Sequence, residues 1–156
     1  MSYKGVIYCD KCYRNPGAHS IRIIKDGEIP ILYTKIAEAK EYDDTSGILQ
    51  HYRNLLRLLG DKEWIWVFDC DNLELKHCFE IRTTRGIIDL LLENGKNKKI
   101  YVINSNMFLT IILDSCKFFL NNSISDKIEI FNHTDYAMRG LTRPPEYIQI
   151  QNILSS

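Results

Sequence analysis

"KKIYVINSNMFLTIILDSCKFFLNNSISDKIEIF", Lys98 to Phe131, decides how this chain is organised. It holds two strand-like runs, Ile100 to Ile103 and Lys127 to Phe131. Between them, Met107 to Leu120 has helical periodicity. Phe108, Ile111, Ile112, Cys116 and Phe119 share one face, while Thr110, Asp114, Lys117 and Asn121 share a narrower polar one. Strand, apolar helix, strand is the alternation of an α/β layer structure.

The same alternation extends upstream. "EWIWVFD" is a continuous apolar run ending in Asp69, which suits a central strand covered on both faces. "DDTSGILQHYRNLLRLLG" places Ile48, Tyr52, Leu55, Leu56 and Leu59 at helical spacing. Asp44, Thr45 or Ser46 can cap its start, and Gly60 stops it. "TTRGIIDLLLENG" predicts a second helix, capped by Thr83 or Thr84 and ending near Gly95. "HSIRIIKDGEIPILYTKI" alternates around Asp26-Gly27, a hairpin signal, because glycine accepts the positive φ of a tight turn. Pro30 has no N–H to donate, so its strand is expected to lie at an edge or to start there. "LELKHCFEI" fits neither period clearly, and "RPPEYIQIQNIL" predicts a short closing helix after its proline pair. The expectation is a single domain over residues 1–156. It has an irregular segment 1–20, an α/β core 21–131 and a tail 132–156, with a mixed, mostly parallel sheet covered by helices.

Composition narrows the function classes. Twenty basic and twenty acidic residues leave no net charge, whereas nucleic-acid sites need a basic excess. No apolar run reaches the roughly 18 residues of a membrane span. The start "MSYKGVIYCDK" lacks the apolar core of a signal peptide, so a cytoplasmic location is expected. Five cysteines are an odd number for a disulfide framework, and thiols are expected.

Cys9-x-x-Cys12 is half a zinc site or a redox pair. Cys70, Cys78 and His19 are the candidates to complete it, but no second ligand pair follows at zinc spacing, and two ordinary thiols are the favoured reading. His51, inside a helix, reads as a structural or surface residue. No metal or cofactor is therefore expected. "NGKNKK" is a short basic run, read as a solvated turn with acidic lipid head groups as the minority alternative. "WIWVFDCDN" resembles the first motif of haloacid-dehalogenase-type phosphatases, and "IYVINSN" their second, with Ser105. That resemblance implies Asp69 as nucleophile and Asp71 as general acid.

The ordered set of segments from about Glu28 to Phe131 resembles the CRAL-TRIO lipid-binding family, which includes phosphatidylinositol transfer proteins. "IPILYTKI" is similar to the family's "rPVlyvr" strand, "WIWVFDCDNLEL" to "vvvfDleGls" and "IYVINSN" to the strand ending in "INAP". "MFLTIILDSCKFFL" is similar to the helix that follows, and "SISDKIEIF" to the "KI" strand. The family's head-group lysine falls on Lys127, while its threonine falls on Ile124, beside Ser123 and Ser125. The resemblance implies non-enzymatic binding or transfer of a phospholipid or other hydrophobic ligand between sheet and helices. Ile65, Val67, Ile103, Phe108, Ile111, Ile112 and Phe119 are the expected apolar lining, with Ser123, Ser125 and Lys127 at the polar end. Peripheral membrane contact is compatible with this reading. The alternatives are a protein-interaction module, with a small GTPase as one kind of partner, and the phosphatase built on Asp69 and Asp71.

Overall fold

Apolar runs with period two become neighbouring strands. The computed structural model describes residues 9–117, 120–131 and 145–155. Strands β1 (Ile21–Lys25), β2 (Ile31–Lys35), β3 (Trp64–Asp69), β4 (Asn97–Ile103) and β5 (Ile128–Phe131) form one sheet in the order β1-β2-β3-β4-β5. β1 pairs antiparallel with β2, and the other pairings are parallel. The chain is an α/β protein with a mixed, mostly parallel sheet.

Parallel neighbours need crossover connections. The helices supply them: α2 (Thr45–Leu59) links β2 to β3, and α3 (Leu75–Cys78) with α4 (Ile81–Asn94) links β3 to β4. α5 (Met107–Cys116) with α6 (Asn122–Ser125) links β4 to β5. A short helix, α1 (Asp10–Arg14), precedes the sheet, a 3-10 turn (Ile36–Glu38) follows β2, and α7 (Pro145–Ser155) closes the described chain. Because β2 to β5 follow one another in space as in sequence, the parallel strands have no order reversal. The crevice that such a reversal creates at strand C-termini is therefore missing from this part of the sheet.

The helix boundaries follow from caps. The Asp44 carboxylate accepts from the Gly47 amide at the start of α2, and Gly60 ends the helix at φ 62°. Asn106 Oδ1 accepts from the Phe108 amide and starts α5. α4 begins at Ile81 rather than at Thr83 or Thr84, after the short turn of α3, and ends at Gly95 in the left-handed region. One sequence expectation changes, and one is decided between its two alternatives. The β1–β2 connection spans residues 26–30 rather than a two-residue turn. Pro30 immediately precedes β2, which is an interior strand, so it marks a start and not an edge. Its carbonyl accepts from the Ile65 amide at 2.9 Å, so the missing N–H costs the sheet nothing on that side.

Strand alternation divides the core in two. On one face, Leu32, Trp64, Trp66, Ile100 and Val102 pack with Tyr52 and Leu55 of α2, Ile88 and Leu91 of α4, and Leu109 of α5. On the other, Ile31, Tyr33, Val67, Ile103 and Phe131 meet Ile150 of α7. Full burial of a side chain such as Leu55 stabilises the fold by roughly 1.5–3 kcal/mol. Among the described residues no helix is long and apolar enough to cross a membrane.

Candidate functional site

Between the sheet and the crossover helices lies a cavity of about 130 Å³. Trp66, Phe68, Ile100 and Val102 form its floor, Ile48 and Tyr52 come from α2, and Ile87, Ile88 and Leu91 come from α4. Leu109, Ile112, Leu113 and Cys116 of α5 close it, at the i, i+3, i+4, i+7 spacing of one helix face. A dry apolar cavity of about 150 Å³ is large enough to take up benzene.

Its buried polar groups are mostly matched to one another. Trp66 Nε1 donates to Thr34 Oγ1 at 3.1 Å, and the Thr34 hydroxyl shares a 2.7 Å hydrogen bond with the Tyr52 hydroxyl. Burial raises the Tyr52 phenol well above its ordinary value, and its two hydrogen bonds only partly oppose this. The Tyr42 ring stands edge-on to His77, with centroids 5.0 Å apart, and these two residues and Glu80 supply a more polar stretch of lining.

The expected lining residues fall in several places. Ile112 lines the cavity. Phe108 packs against the same core without lining the cavity, and Ile111 is 37 % exposed. α5 is therefore rotated from the face that the sequence suggested, towards Leu109 and Leu113. Ile65, Val67 and Ile103 lie on the opposite sheet face, with α7, because strand alternation puts Trp66, Phe68 and Val102 inward. Phe119 lies outside the described residues. Ser123 and Ser125 are exposed on α6, and Lys127 is half-buried just before β5. They adjoin Ile124 and Ile128, which do line the cavity.

Asp69 sits at the end of β3 and is buried. One carboxylate oxygen accepts from the Tyr33 hydroxyl, and the other accepts from Asn104 Nδ2 at 3.0 Å and the Asp71 amide at 2.9 Å. Asp71 pairs with Lys35 at 3.2 Å. Asp69 thus spends its hydrogen-bonding capacity joining the ends of β2, β3 and β4. Asn104 and Asn72 take positive φ beside it, as asparagine tolerates.

A second polar cluster lies at the other end of the chain. Cys9 and Cys12 bracket the first turn of α1, His19 precedes β1, and His51 is on the inner side of α2. The Sγ atoms of both cysteines lie 3.5 Å from Nδ1 of both histidines, and the two Nδ1 atoms are 3.3 Å apart. Both histidines are buried. His19 Nε2 faces the Asp44 carboxylate at 2.9 Å, and Lys11 pairs with the same carboxylate at 3.0 Å. Burial works to raise the Asp44 carboxyl, but hydrogen bonds from His19, Lys11 and the Gly47 amide outweigh it and hold it low. Cys70 and Cys78, expected as partners of the pair, lie elsewhere: Cys70 is fully buried after β3, and the Cys78 thiol donates to backbone carbonyls of Glu74 and Phe108. His51 is the residue the sequence reading missed. Its only signal was a histidine on the apolar side of α2, between Ile48 and Leu55.

Compared with known proteins, the chain matches no family model and no curated sequence.

Proposed function

We propose that this protein is a non-enzymatic binder of an apolar ligand, held between the sheet and α2, α4 and α5. The observation that carries this reading is the cavity itself: a mostly apolar space of about 130 Å³ between the sheet and three helices. Ordinary cores leave few voids of that size, because each costs stability. The CRAL-TRIO-type arrangement is the finer form of this proposal. It is supported by the order in which "IPILYTKI", "WIWVFD", "IYVIN", the 107–116 helix and "KIEIF" fall on β2, β3, β4, α5 and β5.

Size limits the ligand. About 130 Å³ accommodates a ring or a stretch of one alkyl chain, not two acyl tails. Six buried carbons gain roughly 5 kcal/mol, so cavity filling alone supports submillimolar affinity. A phospholipid requires the α4–α5 wall to move outward. A polar head then has two places to lie: near Tyr42, His77 and Glu80, or beyond Ile124 near Ser123, Ser125 and Lys127.

A second reading, a protein-interaction module, is favoured by one feature. Leu75, Phe79 and Ile81 at the α3–α4 junction and Met107 and Ile111 on α5 are exposed, and α3 packs against α5. An apolar surface of this kind marks contact sites.

Native mass spectrometry with organic extraction separates the two. A stoichiometric co-purifying hydrophobic molecule, or uptake of a single-chain fatty acid from solution, supports the ligand binder. A protein that carries nothing and takes up neither fatty acid nor vesicle lipid sinks that reading and leaves the interaction module.

A further inference from the structure

We infer that Cys9, Cys12, His19 and His51 bind one zinc ion in a closed, tetrahedral Cys₂His₂ centre that pins the N-terminal segment to α2. A tetrahedral zinc ion with Zn–S of about 2.3 Å and Zn–N of about 2.05 Å sets S···N distances near 3.5 Å and N···N near 3.3 Å. The protein shows four S···N distances of 3.5 Å and one N···N distance of 3.3 Å. All four ligand atoms lie within 4.8 Å of one another.

Hydrogen bonding alone does not account for this cluster. Two thiols and two ring Nδ1 positions offer at most four protons for five contacts. Filling both ring positions would also set two N–H groups against each other. A cation at the centre removes the conflict, because every one of the four atoms then presents a lone pair.

The surroundings fit the same centre. With Nδ1 turned inward, His19 carries its proton on Nε2 and donates it to Asp44, the carboxylate–histidine–metal relay that fixes ring orientation. The Cys12 amide donates to Cys9 Sγ at 3.3 Å, which favours thiolate charge. Binding forms two Zn–S and two Zn–N bonds and releases two thiol protons to solvent, with no change of oxidation state. Four protein ligands leave no open position, so the centre is structural. The spacing C-x-x-C, then His19, then a helix residue at 51, joins segments that share no secondary structure. Soft S₂N₂ donors in a tetrahedron select zinc over magnesium or calcium. His19 also lines the apolar cavity, and His51 precedes the cavity residue Tyr52, so the ion would hold one end of that cavity in place.

The test is titration of the reduced, chelator-treated full chain with Co²⁺ and with Zn²⁺. One equivalent of Co²⁺ should give the visible bands of a tetrahedral site with thiolate-to-cobalt charge transfer, and one equivalent of Zn²⁺ should erase them. The double variant Cys9→Ser/Cys12→Ser should lose the charge transfer, while Cys78→Ser, outside both the cluster and the cavity lining, should keep it. Asp44→Asn keeps a good helix cap and should weaken binding about 10- to 100-fold. Should the cysteine variants fail to fold, alkylation mapping of the unaltered protein decides. Cys9 and Cys12 should be protected with zinc and labelled without it. Octahedral cobalt bands, no binding at one equivalent, or equal labelling of both cysteines with and without zinc would overturn the assignment.

Discussion

Thr34→Val probes the polar element built into the cavity wall. Valine matches threonine in shape but removes the oxygen that accepts from Trp66 Nε1 and bonds the Tyr52 hydroxyl. Trp66 and Tyr52 are both buried, so neither polar group has solvent as a substitute. A buried donor left unmade costs about 1–3 kcal/mol, and the added methyl returns roughly 0.8 kcal/mol. Two such groups cost about 2–6 kcal/mol, so the net expectation is a loss of about 1–5 kcal/mol. A chain of 156 residues has an unfolding entropy of about 0.33 kcal/mol/K, so Tm should fall by about 3–15 °C. Urea unfolding should show a lower midpoint with unchanged slope. In a Tyr52→Phe background the penalty should shrink by about 1–3 kcal/mol, because one of the two orphaned polar groups is gone. A loss under about 0.5 kcal/mol, or full additivity of the two substitutions, would refute this account of the wall.

Two further expectations concern the strand ends. Asp69→Asn keeps one acceptor oxygen but loses the charge that meets the Tyr33 hydroxyl, and should cost about 1.5–3 kcal/mol in urea unfolding; no loss would mean Asp69 does not join the strands. Cys70 is pushed up to about 12 by burial and then by the charge of Asp69, from an ordinary 9. The folded state therefore holds a proton that the unfolded state releases. Stability should be intact below about pH 9 and fall by up to about 1.4 kcal/mol per pH unit towards pH 12. Buried Tyr33 and Tyr52, both raised, act in the same direction. Cys70→Ser should flatten the part of the slope that begins at pH 9, and an unchanged slope would contradict the assignment.

The sheet was largely legible because each strand holds an apolar run bounded by polar or turn residues, and α2 carries both its cap, Asp44, and its stop, Gly60. α4 has a stop at Gly95 but no side-chain cap, so its start at Ile81 was less legible. Lining was less legible. In "WIWVF" every position is apolar, so the pattern does not say whether Trp66 or Val67 faces the helices. The tie is broken by the sheet's partners, the crossover helices on one side and α7 on the other. In α5 the polar face of Thr110 and Asp114 is narrow and Phe108, Leu109, Ile111, Ile112 and Leu113 surround it on both flanks, so packing against α4 sets the rotation. The Cys₂His₂ cluster was illegible for a different reason. Its fourth ligand, His51, comes from a helix residue 32 positions after His19 and approaches only through the tertiary fold.

The central claim is that the cavity is a ligand site, and saturation with an apolar probe tests it most directly. A ligand filling the cavity of about 130 Å³ stabilises the folded state according to its concentration, by about 2.7 kcal/mol at a hundred times its Kd. Thermal unfolding with benzene and a series of short-chain fatty acids should therefore raise Tm by about 8 °C at that saturation. Ala39→Leu, which adds bulk at the cavity wall, should abolish the shift. No shift at any chain length, or the same shift in Ala39→Leu, would contradict the account.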